Sequence, residues 1–491
     1  MESNSKKIYK GISSQTLVTI VTGLLEIAVF SIMSRLLTRE DFGLFASVTA
    51  ITMIFSSLSE AGIGAAIIQK KNPSRTYINT AFTISFVSGI FFSLLLVFFS
   101  AWFSDFFDVE HLQKALMFMS VTILCHCLTS VNNALLYKNL AFLKVGIINL
   151  SGLLISSVIA IFLAYEGMGF YSIVTKAVVS AILTTLFSFI LVHYKYKIMI
   201  VKEDVKLIVG FAGWLTLSVI IRNLAHQADK LLMTKFLSVA SLGAYNRPKE
   251  FITNITTKLN SIFDTVLFPV LSNIQDEKEK MKKSFDLSLY YLNVFSLILS
   301  LGFIFNGELI IRIFFGEQWL SLVDLFRILS LFMLLYTDGR LCDCYFRSIG
   351  IVKYQFYLRI FELFITVSFL FVSFRWDIIG VAVAILMVQF IMVITKLFII
   401  SKHLQHPLIR VFKTIFASWK CSIAVLPVML LLVHLLPHTL IGNLLLLIGY
   451  ATTILVIFLM FPSIVGQQYV IFGHNEIVTK LLLLKDKIYG K

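Results

Sequence analysis

Four ionisable side chains lie close together in residues 207–236, a segment that is mostly apolar. They occupy positions i, i+4, i+7 and i+8, namely Arg222, His226, Asp229 and Lys230. Because an α-helix has 3.6 residues per turn, this spacing places them on one helical face, within about 100° of one another. Cations on one face can bind an anionic group, and a histidine beside a carboxylate can form a proton-linked site.

The following segment, residues 243–274, carries a second polar face. Its members are Arg247, Glu250, Asn254, Thr257, Lys258, Ser261 and Asp264. Two earlier segments carry small or polar residues in corresponding places, namely Thr19, Gly23, Glu26, Thr52, Ser56 and Glu60. A charge in the bilayer centre costs about 3 kcal/mol, so such groups normally face a protein interior or a wet cavity. We therefore expect the four segments to line a central cavity, with Arg340 and Arg359 as further candidate cations.

Carboxylates within these segments are candidates to bind a coupling proton or sodium ion, because a buried carboxylate has a raised proton affinity. They are Glu26, Glu60, Glu250 and Asp264. Intramembrane pairing or snorkelling explains each of them equally well. The cations also have a structural alternative, since Arg222 with Asp229, and Arg340 with Asp343, could be buried pairs that hold helices together.

Two further residues have alternatives of their own. Arg247 could lie at the outer rim, because Pro248 follows it in the predicted first turn of its helix, where proline needs no backbone donor. His226 could be a hydrogen-bonded lining residue rather than a proton-linked one. Four cysteines in two C-x-C pairs point in opposite directions on a helix, so we expect core residues and no metal site.

The composition identifies the surroundings of these helices. Hydrophobic residues make up 58% of the 491 residues, charged residues 14%, and the mean hydropathy is +0.89. This leaves too little polar surface for a soluble fold. In a soluble protein, a net charge of +15 would suggest that the protein binds nucleic acid. Here its distribution follows membrane topology, and we expect no nucleic-acid partner.

Apolar runs between charged or turn-rich breaks predict fourteen membrane-spanning helices. Their approximate bounds are residues 11–36, 42–69, 77–103, 115–137, 145–165, 170–194, 207–236, 243–274, 284–306, 320–346, 355–374, 377–400, 416–436 and 440–461. With the amino terminus inside, most lysines and arginines of the connecting segments fall on the cytoplasmic side. The opposite side keeps only Arg35, Arg39, Lys114, Lys235, Arg312 and Arg375. This asymmetry predicts that both termini are cytoplasmic.

An internal repeat predicts how the helices are arranged. Residues 34–45 are echoed by residues 234–245, and Gly43 and Gly243 are 200 residues apart. Units in the same orientation are parallel repeats, typical of transporters that rock one lobe against another. We predict an all-α polytopic membrane protein with six-helix lobes at 1–206 and 207–408. Two further helices and a cytoplasmic tail would occupy 409–491.

Several short motifs, found in order, resemble polysaccharide flippases. They are residues 35–43, 61–70 and 135–144 in the first lobe, and residues 228–232, 242–245, 268–272 and 315–319 in the second. The chain is similar to the colanic-acid-exporter-like branch of the multidrug/oligosaccharidyl-lipid/polysaccharide exporter superfamily. This resemblance implies export of undecaprenyl-pyrophosphate-linked oligosaccharide units across the bacterial cytoplasmic (inner) membrane. The cavity cations would then receive the pyrophosphate, and hydroxyl or amide groups the sugars.

The same interpretation defines the expected partners. They are the lipid-linked oligosaccharide and membrane lipids, with the polysaccharide polymerase machinery as a further candidate. We expect no cofactor and no enzymatic activity. Without a G-x-x-x-x-G-K-[ST] motif in the sequence, an ion gradient, the membrane potential or the substrate gradient would supply the energy.

Three alternatives remain open. A cation-coupled drug or metabolite antiporter could use the same scaffold. The cavity of such an antiporter would need few fixed cations, so the presence of Arg222, Lys230 and Arg247 makes this alternative less favoured. A membrane glycosyltransferase or polymerase would need a substantial outer loop, whereas the longest expected here is residues 306–320. A scaffold role would not require polar stripes on four helices.

Overall fold

The computed structural model describes residues 2–60, 62–423, 426–435, 442, 445–450 and 452–453, and every regular element among them is helical. The α-helices are α1 (Glu2–Leu36), α2 (Arg39–Glu60), α3 (Ile63–Gln69), α4 (Arg75–Phe107), α5 (Leu112–Lys138), α6 (Phe142–Tyr165), α7 (Phe170–Val192), α8 (Lys202–Phe236), α9 (Val239–Asn273), α10 (Lys278–Phe305), α11 (Gly307–Phe314), α12 (Val323–Ser330), α13 (Phe332–Ser348), α14 (Val352–Ser373), α15 (Asp377–Leu404), α16 (Leu408–Ile423) and α17 (Leu426–Leu435). Two 3-10 helices span Glu317–Leu322 and Phe374–Trp376.

The lengths of these helices suit a bilayer. Within the described residues, nine helical stretches are long and apolar enough to cross a membrane. Helices α8 and α9 carry more charge, but each has 35 residues. That corresponds to about 52 Å, well beyond a hydrocarbon core of about 30 Å. The all-α fold is confirmed, and the count of fourteen spans stays a prediction.

The two copies of the sequence echo form matching helix starts. Before α2, the Thr38 hydroxyl donates to Asp41 Oδ2 at 2.8 Å and accepts from the Asp41 N–H at 3.2 Å. Before α9, the Ser238 hydroxyl accepts from the Ser241 N–H at 3.0 Å. These caps satisfy backbone donors that a helix start leaves unpaired. The helices therefore begin at Arg39 and Val239, upstream of the predicted 42 and 243.

This earlier start changes the position of Pro248. The proline lies in the third turn of α9, and the prediction that it occupies the first turn is wrong. A proline inside a helix removes one backbone hydrogen bond and commonly causes a bend. Pro248 therefore interrupts the bonding of α9 immediately after Arg247.

Several predicted segments have different boundaries in the structure, and the predicted helix 320–346 comprises the end of a 3-10 helix, α12 and most of α13. The predicted helix 42–69 is two helices, because Gly62 adopts a left-handed conformation with φ 63°, which glycine reaches at little cost. The predicted outer loop 306–320 contains α11 and a 3-10 helix, separated by Gly316 at φ 99°. The predicted helix 416–436 comprises the end of α16, which begins at Leu408, and α17. Most of the predicted helix 440–461, and the predicted tail, lie outside the described residues.

The segment between α7 and α8, residues 193–201, lies outside the helices and is attached to α4 by hydrogen bonds. The backbone N–H groups of Lys197 and Met199 donate to Asn79 Oδ1 at 3.2 Å and Thr83 Oγ1 at 3.1 Å. Tyr196 donates its hydroxyl to Asn132 on α5, and burial raises the pKa of Tyr196. Alternate backbone groups are thus paired with helix side chains, as a segment without a sheet partner requires.

The chain folds into two compact units. Unit 1 holds Met1–Arg247, Phe314–Gln318 and Arg359–Val381, and unit 2 holds Pro248–Ile313, Trp319–Leu358 and Ala382–Lys491. In unit 1, α2, α5 and α7 share an apolar core that includes Val48, Leu112 and Val174. In unit 2, buried aromatic rings join α10 to α13, with Phe285 and Tyr345 edge to face at 4.9 Å between centroids.

The four cysteines of the C-x-C pairs are confirmed as core residues. Cys125, Cys127, Cys342 and Cys344 are all buried. No group of three potential metal ligands occurs among the residues that the structure describes.

Candidate functional site

Helix α8 is fixed against α2 by polar contacts along one face. Thr234 and Ser47 share a hydrogen bond of 2.9 Å, and Gln227 Nε2 donates to Met53 Sδ at 3.3 Å. Asn223 donates to Ser57 one turn further along. These side chains are spaced four and seven residues apart, so they occupy one face of α8 and define which face turns away from α2.

The predicted site residues of α8 divide by burial. Arg222 and His226 are exposed and lie one helical turn apart, and Lys230 is half-buried a further turn along. Asp229 is only 2% exposed. The helical face predicted from the sequence therefore has an accessible part, formed by the three basic side chains, and a buried part formed by the carboxylate.

Asp229 connects α8 to α9. Its Oδ2 accepts a hydrogen bond from the hydroxyl of Tyr245 at 3.0 Å, and its Oδ1 accepts from the Lys230 N–H at 2.9 Å. Tyr245 is fully buried. A buried carboxylate requires such donors, because transfer of a charge from water is costly. Tyr245 was not among the predicted site residues, although it lies within the repeat echo 234–245.

Arg247 is buried in unit 1, where it contacts α1 and α2. Its Nε donates to Ser34 Oγ at 3.1 Å and its Nη2 to the Phe30 carbonyl oxygen at 2.9 Å. Its guanidinium lies 3.4 Å from the Phe30 ring centroid and 4.0 Å from that of Phe42. Cation–π contacts of this kind gain strength when desolvated. Arg247 thus packs three helices together, and a role in substrate binding stays a prediction.

The other candidates are distributed over both units. In unit 1, Arg359 pairs with Glu362 at 2.6 Å. Glu26 and Glu60 are half-buried on α1 and α2. In unit 2, Glu250 and Arg340 are half-buried and Asn254 is exposed. The side chain of Asp264 lies outside the described residues.

Two polar pairs of unit 2 were not among the predicted site residues. Lys396 Nζ lies 2.9 Å from Asp343 Oδ1, and Asn293 Nδ2 donates to Asp338 Oδ1 at 2.7 Å. The available signal was a polar residue in the middle of an apolar span, which is costly and therefore informative.

Comparison with known proteins identifies the family. The family described as polysaccharide biosynthesis protein (Polysacc_synt_3) matches residues 32–324, more than half of the chain. The chain belongs to this family. The polysaccharide biosynthesis family match includes the repeat echo, the caps of α2 and α9, and the polar faces of α8 and α9.

Two relatives support the same family. The chain is 24% identical over 400 residues to the lipopolysaccharide biosynthesis protein WzxC of Escherichia coli (strain K12), covering 81% of each protein. It is 22% identical over 340 residues to the teichuronic acid biosynthesis protein TuaB of Bacillus subtilis (strain 168), covering 67% of this chain and 69% of TuaB. The chain is thus a multi-pass membrane protein of the polysaccharide biosynthesis family.

A solved structure shares the fold. A lipid II flippase, MurJ, in an inward closed conformation has a TM-score of 0.74 at 15% identity, covering 91% of this chain and 98% of that one. At this identity the likeness shows the fold alone, which is the fold predicted from the superfamily resemblance.

Proposed function

We propose that this protein is a flippase that moves undecaprenyl-pyrophosphate-linked oligosaccharide across the bacterial cytoplasmic membrane by alternating access. The observation that carries the proposal is membership of the polysaccharide biosynthesis family in a chain with the fold of a lipid II flippase. The family is described as one of polysaccharide biosynthesis proteins. The solved structure that shares the fold is that of the lipid II flippase MurJ.

Substrate binding in this proposal depends on the accessible cations of α8. Arg222, which is exposed, and Lys230, which is half-buried two helical turns further along, would bind the pyrophosphate. A guanidinium can form paired hydrogen bonds to phosphate oxygens, and an ammonium adds a point charge. His226 between them, with Glu250, Asn254, Arg340 and Arg359, would contact the remaining polar groups of the substrate.

The proposed membrane orientation follows from the distribution of lysine and arginine residues. Both termini would be cytoplasmic, the lobes would divide near residues 206 and 408, and the two last helices would follow. Glu26, Glu60 and Asp264 remain candidates for ion coupling, and polymerase machinery remains a candidate partner. The export step requires no covalent chemistry, so we propose no enzymatic activity.

A transport assay tests this function. The purified full-length protein would be reconstituted into liposomes that contain a labelled undecaprenyl-pyrophosphate oligosaccharide in both leaflets. An added glycosidase, which cannot enter, would release label from the outer leaflet only. We expect the fraction released to exceed that of protein-free liposomes, as inner-leaflet substrate is moved outward. Equal release with and without protein would contradict the proposal. It would also be contradicted if the protein transported a labelled drug but none of the lipid-linked sugar.

A further inference from the structure

Unit 2 contains a buried polar cluster at mid-helix depth. Asn293 on α10 is 0% exposed, Asp338 on α13 is 4% exposed and Lys396 on α15 is 5% exposed. Asn293 follows the first residue of α10 by about 22 Å along the helix axis. Asn293 therefore lies near the middle of α10, a helix that is long enough to span a bilayer.

One part of the cluster is a neutralised ion pair. Lys396 Nζ lies 2.9 Å from Asp343 Oδ1 and donates to the Gly339 carbonyl oxygen at 3.2 Å. Asp343 is 8% exposed. Both charges are buried together, and an ion pair with an additional hydrogen bond is the arrangement that makes this tolerable. Lys396 therefore neutralises Asp343.

Asp338 has a neutral partner. Asn293 Nδ2 donates to Asp338 Oδ1 at 2.7 Å and to the Leu289 carbonyl oxygen at 2.9 Å. These two acceptor oxygens establish the orientation of the Asn293 amide. A flipped amide would place Asn293 Oδ1 next to both of them, with no hydrogen to donate. A neutral hydrogen bond alone compensates poorly for burial of a full negative charge.

Asn293 Oδ1 is a second oxygen at this position, fully buried and without a hydrogen-bond partner. Buried polar oxygens are almost always paired, so this oxygen is available to accept a positive charge beside Asp338. Close by, Thr337 Oγ1 accepts a hydrogen bond from Asn260 on α9 at 3.3 Å. Among the described residues, the hydrogen-bond partner of Asp338 is thus neutral, and the nearby Lys396 ammonium is paired with Asp343.

Other titratable groups lie within about five residues of these positions on the same four helices. They are Lys258, Tyr290, Tyr291, Tyr336, Arg340, Cys342, Asp343 and Lys396, while the side chain of Asp264 is outside the described residues. Lys258 and Arg340 are two residues from Asn260 and Asp338, and such neighbours project about 200° away around a helix. Lys396 is already paired with Asp343.

We propose that Asp338 and Asn293 form a binding site for one monovalent positive charge, a proton or a sodium ion. A single carboxylate with neutral oxygens suits one positive charge, whereas divalent ions usually take several carboxylates. The site's role in driving transport rests on the proposed function, but binding itself does not. Uptake of the charge would neutralise Asp338, and its release would leave a buried anion that favours a rearrangement of the surrounding helices.

Two measurements on the purified full-length protein test the site without any lipid-linked substrate. Radioactive sodium binding reports sodium, and infrared difference spectra across pH steps report the C=O stretch of a buried protonated carboxyl group. Asp338→Asn keeps the shape of the side chain and removes its charge. We expect it to weaken sodium binding by ~10-fold or more, or to abolish one carboxyl band. Asp324→Asn, at an exposed carboxylate paired with Arg327 on α12, is the matched control.

The outcomes separate the two sources of charge. Loss of sodium binding identifies a sodium site, and loss of the carboxyl band alone identifies a proton site. If Asp338→Asn changes neither signal relative to Asp324→Asn, the site does not exist. Should Asp338→Asn fail to fold, Asp338→Glu must shift the band or the sodium affinity, and an unchanged signal is equally decisive against the site. Binding without transport by the wild type would contradict the flippase function and leave the site standing.

Discussion

Gly43 and Gly243, 200 residues apart, pack backbone against backbone in a reciprocal arrangement. A Cβ atom at Gly43 would lie 1.8 Å from the Val239 carbonyl oxygen, and one at Gly243 would lie 1.8 Å from the Arg39 carbonyl oxygen. Residues 39 and 43 thus contact residues 243 and 239, which is a two-fold relationship between the two copies of the echo. No residue with a side chain fits at either position without moving the helix starts.

Gly43→Ala should therefore lower stability strongly. A Cβ overlapping a backbone oxygen forces a shift of α2 or α9, and overpacking of this kind costs about 1–3 kcal/mol or more. Thermal unfolding of the purified protein would measure the loss. Gly210→Ala is the control, because nothing lies within 4 Å of a Cβ built there. Equal unfolding temperatures for the two variants would show that the contact is not maintained in the protein.

The contact between Gly43 and Gly243 was only partly predictable from the sequence. The echo predicted matching turns, because repeated capping residues and glycines are local signals. The two-lobe interpretation also predicted that the outer ends of these helices approach when the cavity opens inward. It did not predict that the two glycines pack backbone against backbone, since residue spacing identifies a helical face and not the neighbour of that face. The burial of Arg247 between Phe30 and Phe42 was missed for the same reason.

The candidate site shows the same limit. Spacing correctly placed Arg222 and His226 one turn apart, but it grouped them with Asp229, which is buried against Tyr245. Helix periodicity cannot distinguish an accessible face from its buried margin when both carry polar residues. Asn293 and Asp338 are 45 residues apart, and only the packing of α10 on α13 brings them together.

Removal of the Tyr245 hydroxyl should destabilise unit 1. Tyr245→Phe deprives the buried Asp229 carboxylate of a hydrogen bond, for an expected cost of about 1–3 kcal/mol. Tyr165→Phe, at a position 79% exposed, should have little effect. In the background of Asp229→Asn, the cost of Tyr245→Phe should shrink, because the double-mutant cycle isolates the pair. Strict additivity would mean that the hydroxyl contributes nothing through Asp229.

Neutralisation of the accessible cations should abolish transport while the protein stays folded. Arg222→Ala and Lys230→Ala each remove charge from the face proposed to bind pyrophosphate, and Arg222→Lys should retain part of the activity. Release of labelled sugar in the liposome assay would measure this. Lys206→Ala, an exposed position near the start of α8, should transport normally. Normal transport by both alanine variants would remove these residues from the binding site.

The predicted topology can be tested by labelling single cysteines. Residues 105–110 and 316–319 should be accessible from outside, and residues 70–75 and 276–283 from inside. Contacts in unit 1 support this grouping. Arg39 donates to the Gln318 carbonyl oxygen at 2.9 Å, and Lys235 donates to that of Phe106, so predicted outer residues contact one another. Labelling of both sets from the same side would contradict the predicted membrane orientation.

A reversible crosslink between the two helix starts should block transport. In a rocking mechanism, the outer ends of α2 and α9 meet when the cavity opens inward and separate when it opens outward. The contact of Gly43 with Val239 shows that these ends can meet. Cysteines at Asp41 and Ser241, two residues before each glycine, should therefore trap the inward-open state when oxidised.

This experiment first requires replacement of the five native cysteines, Cys125, Cys127, Cys342, Cys344 and Cys421. Reductant should restore transport of the labelled lipid-linked sugar, because breaking the disulfide frees the helix starts to separate. A variant with only one of the two new cysteines should be unaffected by oxidation, which controls for unspecific damage. Efficient crosslinking with undiminished transport would show that α2 and α9 need not part at this end, and alternating access by rocking would then have to be abandoned.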